Sequence, residues 1–129
     1  MQEHEVRALF ERLIEAMDPA LEHEARHEDF IAEFPQSGER LDRDGLRRLQ
    51  EHFPSGAPKI QLRRLTGSGD VWFGESRIEY NDGTVAYGVS RVEFRDGKIF
   101  KETRYYAEPF DPPAWRASWS QRTEETVAG

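Results

Sequence analysis

Residues 70–106 constrain the fold more tightly than any other stretch. They read as DVWFGESRIEY, TVAYGVSRVEFR and KIFKETRYY, joined by NDG and RDG. Each segment mixes aromatic and β-branched residues with charges at a period near two, the signature of a half-buried strand. Both joints contain Asp-Gly, a pair that tolerates the positive φ of a tight hairpin. The stretch is therefore expected to be a three-stranded antiparallel meander, and the rest of the chain must cover one of its faces.

The cover begins at the start of the chain. Val6, Leu9, Phe10, Leu13, Ile14 and Met17 follow the i, i+3, i+4 rhythm of one apolar helical stripe, with Glu and Arg on the other face. Asp18-Pro19 ends that helix and starts a shorter one carrying Leu21 and Ala25, since proline suits a first turn and not an interior. Phe30, Ala32 and Phe34 alternate with Ile31 and Glu33 in a strand that stops at Pro35. Asp42 or Asp44 can cap a third helix with Leu46, Leu49 and Phe53 on one side, stopped by Pro54 and Gly56. Residues 59–65 form another strand leading into the meander. The order α-α-β-α-β-β-β-β specifies an α+β domain with helices on one face of a curved antiparallel sheet. One domain over residues 1–120 is expected, with 121–129 a frayed tail.

Composition narrows the function. The net charge of -7, with no segment that concentrates Lys and Arg, argues against nucleic acid as a partner. Cysteine is absent, which removes disulfides, thiolate nucleophiles and Cys-bound metals together. MQEHEVRALFERLIEAM carries charges throughout and reads as neither signal peptide nor membrane span, so a cytoplasmic protein without membrane contact is expected. His23-Glu24-Ala25-Arg26-His27 matches H-E-x-x-H, in which two His one turn apart bind zinc. A strand-like segment follows at once and no third ligand is evident. The string is read as a solvated charged face, and no metal site is expected.

Three strings carry a family resemblance: EFPQSGERL at 33–41, VEFRDGKIFKETRYY at 92–106 and AEPFDPPAWR at 107–116. With the element order, they make the chain resemble the SnoaL-like branch of the nuclear transport factor 2-like superfamily. The resemblance implies a cystatin-like roll: a cone-shaped sheet wrapped around the N-terminal helices, enclosing one pocket, with the outer sheet face used for a homodimer. No cofactor is expected. The aspartates on which ketosteroid isomerases of that superfamily depend fall here at Phe34 and Ser90, which disfavours that chemistry. The Asp-Arg-Asp set of limonene epoxide hydrolases falls at Arg104, Glu75 and Arg77, with the charges reversed. A cyclase-like mechanism needs one acidic base, for which Glu33, Glu75 and Glu102 are the candidates.

If Asp82-Gly83 is a two-residue loop, Glu75 lies opposite Ser90 and Arg77 opposite Gly88. On that reading Glu75, Arg77, Ala86, Gly88, Ser90, Val92 and Phe94 face inward, joined by Phe100, Glu102, Arg104 and Tyr106. Trp72, Ile78, Tyr80, Val85, Tyr87 and Val89 then form an outer apolar surface suited to a homodimer. A three-residue loop would exchange the faces of the first strand of the meander. Trp115, one helical turn from Trp119, can close the cavity mouth. The expected site has Glu75 and Arg104 as the reactive pair, with Glu33, Phe34, Arg77, Ser90, Glu102, Tyr106 and Trp115 around a small, largely apolar molecule bearing a carbonyl or carboxylate. Two functions fit it. One is binding without turnover; the other is a cofactor-independent lyase, isomerase or cyclase with a pocket carboxylate as general base.

Overall fold

The computed structural model of the chain describes residues 1–123. Residues 124–129, part of the stretch expected to fray, lie outside the described residues. Helix α1 (Glu3–Ala16) carries the apolar stripe. The Glu5 carboxylate accepts the Gln2 backbone N–H at its start, and Met17 in the left-handed region (φ 45°) ends it. Asp18 caps α2 (Pro19–Ala25), accepting from Ala20 N at 3.0 Å with Pro19 in the first turn. Strand β1 (Arg26–Phe34) then pairs with a short β2 (Glu39–Asp42) that the alternation of the sequence did not signal. Asp42 caps α3 (Arg43–Glu51), accepting from Gly45 N at 2.7 Å. Four strands complete the chain: β3 (Lys59–Ser68), β4 (Val71–Glu79), β5 (Val85–Arg95) and β6 (Lys98–Ala107). A 3-10 turn, Ala114–Trp119, follows them.

The six strands form one sheet in the order β2-β1-β6-β5-β4-β3. All pairings are antiparallel except β1 with β6, which run parallel because α3 and the meander lie between them in sequence. Register shifts interrupt β1, β3 and the β5–β6 pair, between Arg26 and Ile31, Leu62 and Arg64, and Glu93 and Phe94. Such bulges bend a strand and increase its twist, which curls the sheet over the helices. Val6, Leu13, Phe30, Leu46, Leu65, Trp72, Val92, Phe94 and Ile99 fill the space between.

The two Asp-Gly turns differ. At 96–97 both Asp96 (φ 54°) and Gly97 (φ 74°) are left-handed, and Arg95 pairs with Lys98 across a two-residue loop. At the other turn Tyr80 N donates to Thr84 O (2.9 Å) and Gly83 N to Tyr80 O (3.0 Å), so three residues, Asn81 to Gly83, make the loop. Asp82 keeps a negative φ and its carboxylate instead accepts from Thr84 N and Oγ1 at 2.9 and 2.7 Å. These bonds stabilise the ionised form and hold the Asp82 pKa below its usual value.

That extra residue corrects the expected faces. Gly74 lies opposite Ser90 and Ser76 opposite Gly88, while Glu75 pairs with Val89 and Arg77 with Tyr87. Trp72, Gly74, Ser76 and Ile78 therefore point inward, and Phe73, Glu75 and Arg77 point outward. The bulge near the 96–97 turn does the same to Phe100. Ile99 turns into the core, and Phe100 sits outside under the Arg95 guanidinium, 3.7 Å from ring centroid to Cζ.

Candidate functional site

Between the helices and the concave face lies a cavity of about 380 Å³. Phe10, Leu13 and Ile14 of α1, with Met17 just after it, form one wall, and Ile60, Leu62, Ile78 and Val92 the wall opposite. Room for it comes from small residues. A Cβ at Gly74 would stand 3.3 Å from the Phe10 ring, and one at Gly88 3.1 Å from Ile78 Cδ1. Any larger side chain at either position would enter the hollow or displace the neighbour it meets.

The polar lining consists chiefly of two linked groups. On β6, alternate residues Glu102, Arg104 and Tyr106 face the cavity. Arg104 Nη2 donates to Glu102 Oε2 at 3.2 Å, and Nη1 reaches the Tyr106 hydroxyl at 3.5 Å. Arg104 Nε lies 3.0 Å from Glu102 Oε1 but is not aligned for a hydrogen bond, leaving a buried donor unused. Burial alone would lower the Arg104 pKa. Glu102 and then Tyr106 more than offset that, so the guanidinium is held charged.

The second group comes from α2, β1 and α3. Arg26, only 3% exposed, stacks over Phe30 with Cζ 5.2 Å from the ring centroid. Its Nη1 donates to Gln50 Oε1 at 3.3 Å, Gln50 Nε2 donates to Glu22 Oε1 at 3.2 Å, and Arg26 Nη2 lies 3.7 Å from the same Glu22 oxygen. Burial raises the Glu22 pKa, against the lowering pull of Arg26, Arg104 and the Gln50 hydrogen bond. Burial lowers the Arg26 pKa; Glu102 opposes this, and Arg104 reinforces it. The charges of the two groups thus act on one another.

Of the residues expected at the site, the structure brings Phe34, Ser90, Glu102, Arg104 and Tyr106 together around the cavity. Four expectations are corrected. Glu75 lies on the outer face, 3.8 Å from Arg64, and Arg77 shares that face, both turned out by the three-residue loop. Glu33 alternates outward from Phe34 and meets Arg40 of β2 at 4.0 Å. Trp115 is 73% exposed in the turn after Pro112-Pro113 and does not reach the cavity mouth. Glu22, Arg26 and Gln50 were not anticipated, although Glu22 and Arg26 stand one helical turn apart and Gln50 shares the face of Leu46. In the H-E-x-x-H string the helix ends at Ala25, so His23 meets Asp44 (3.8 Å) while His27 meets Asp96 (3.6 Å). Among the described residues no group of three or more His, Asp and Glu is placed to hold a metal ion, and no helix is long and apolar enough to cross a membrane.

The sequence model of the SnoaL-like domain matches residues 6–102, three quarters of the chain. The chain belongs to the SnoaL-like domain family. Among solved structures, an NTF-2 like protein of unknown function from Burkholderia xenovorans LB400 is 38% identical over 95% of this chain and 98% of its own, with a TM-score of 0.82. Likeness in fold alone extends to a candidate ketosteroid isomerase from Kribbella flavida DSM 17836 (22% identical, 93% and 90% covered, TM-score 0.80). It extends also to IdmH, a candidate polyketide cyclase from Streptomyces antibioticus (14% identical, 78% and 90% covered, TM-score 0.67). No curated protein matches this SnoaL-like chain.

Proposed function

We propose that this SnoaL-like protein binds a small, largely apolar molecule and orients it by a carbonyl or carboxylate. The supporting observation is the distribution of polarity. A hollow of about 380 Å³ with aliphatic and aromatic walls gathers its charged groups around Arg104, whose terminal guanidinium N–H donors suit an oxygen acceptor. The test is calorimetric titration with a bicyclic ketone such as 2-tetralone and with its carboxylated analogue. Arg104→Met is expected to weaken binding by about 10-fold or more, the loss of one charge-assisted hydrogen bond. Unchanged affinity would count against the assignment.

The second reading is turnover of such a molecule without a cofactor. The Glu22 carboxyl favours it, because this group lines the cavity and burial raises its pKa, the direction that makes a carboxylate a stronger base.

We further propose that a second copy covers the outer sheet face. Phe73, Val89 and Tyr105 are each at least 38% exposed there, and Val89 stands beside Tyr105 in register. Arg64 pairs with Glu75 and Arg91 with Glu93, which offsets charge beside these apolar side chains for a partner with the same face.

A further inference from the structure

The cavity presents two carboxyl groups, Glu102 and Glu22, and they are held differently. Both oxygens of Glu102 lie against Arg104, Oε2 in a hydrogen bond with Nη2 and Oε1 3.0 Å from Nε. Glu22 is held through one oxygen only. Gln50 Nε2 and Arg26 Nη2 both address Oε1, and Oε2 has no protein hydrogen-bond partner among the described residues. Gln50 and Arg26 are themselves joined at 3.3 Å, so two linked side chains, from β1 and α3, brace the carboxylate of α2 in one orientation. A base that abstracts a proton needs this arrangement: one oxygen anchored, the other with a free lone pair, in a site poor in water.

We infer that Glu22 is the proton-transfer residue of this pocket, acting through Oε2 on the carbon next to a ligand carbonyl while Arg104 and Tyr106 hold the carbonyl oxygen. The inference rests on the binding reading above and names the base within it. In the step, the α C–H bond breaks, its proton passes to Glu22 Oε2, and the electron pair moves into the carbonyl to give an enolate. The Arg104 guanidinium and Tyr106 hydroxyl stabilise the new oxyanion by hydrogen bonds. Return of a proton from Glu22 to carbon closes the cycle, so nothing is oxidised or reduced and no co-reactant is consumed. Arg26 and Gln50 are positioning residues, which keep Oε1 occupied and Oε2 presented. The substrate class is an enolisable ketone with a mainly hydrocarbon body.

The experiment follows deuterium entry into 2-tetralone in D2O by NMR, with affinity measured in parallel by calorimetry. The wild type is expected to accelerate exchange above buffer. Glu22→Gln is expected to lower that acceleration by about 100-fold or more, the usual worth of a general base, with affinity held within about threefold. Glu22→Asp should retain part of the activity, and Glu102→Gln should lose less of it than Glu22→Gln. The wild-type pH profile should rise with an apparent pKa shifted upward from that of an exposed glutamate, and this limb should vanish in Glu22→Gln. Binding without accelerated exchange, or exchange that survives in Glu22→Gln, overturns the inference and leaves the binding reading standing. Failure of the wild type to bind either the ketone or its carboxylated analogue overturns both.

Discussion

Arg104 and Glu102 hold each other in place, and the cost of separating them is large because neither has water to fall back on. Their side chains are 17% and 10% exposed, and breaking such a pair by removing one member costs about 3–5 kcal/mol. Arg104→Met should therefore lose stability of that order in urea unfolding, and Arg104→Met with Glu102→Leu should recover much of it. A double variant as unstable as the single one would contradict this account of the pair. Glu22 makes a different contribution. Its carboxyl pKa is raised from the ordinary 4.5 by burial, so the folded chain binds this proton more tightly than the unfolded one. The stabilising contribution is complete below the unfolded value and is lost as pH rises through the folded one. The stability of the wild type relative to Glu22→Gln should then decline from acid to neutral pH; a constant difference would contradict it. Of these residues, Arg104 and Glu102 are legible in ETRYY, where alternation places them on one face. Glu22 and Arg26 are not. They sit in a run of charges that reads as a wetted surface, and only extending the Phe30, Ala32, Phe34 alternation back to Arg26 would have marked it as buried.

At the scale of elements, the meander is legible because its period and turn residues agree. Its register is not, because NDG and RDG look alike and fold differently. Asp96 enters the left-handed region, whereas Asp82 spends its carboxylate on Thr84 and leaves Gly83 alone at positive φ (89°). One residue of loop length decides whether Glu75 or Ser76 faces the cavity, since a strand alternates sides at every step. Gly83→Val is expected to cost about 1–2 kcal/mol by chemical denaturation, the penalty for a side chain in the left-handed region. A neutral substitution would show that the loop has another conformation. The short β2 was hidden for another reason. Four residues, ERLD, are too few for a period to declare itself, and they become a strand because Phe34-Pro35 and the turn after it fold them back on β1.

For the molecule as a whole, the chain folds a bent sheet over an amphipathic helix and leaves a hollow that is apolar on most sides and charged on one. The outer face carries Phe73, Val89 and Tyr105, for which a second copy is the proposed cover. Sedimentation equilibrium should show a dimer that Val89→Asp dissociates, whereas a monomeric wild type would rule that cover out. The cone and its helical filling were legible from element order. The contents of the pocket were not, since they depend on three elements meeting from distant parts of the sequence. The most direct test of the central claim is an NMR titration of the protein with 2-tetralone. The account predicts backbone shift changes concentrated at Phe34, Ser90, Glu102, Arg104 and Tyr106, with Glu75 and Arg77 on the far face undisturbed. Changes centred on the outer face, or none at saturating ketone, would contradict it.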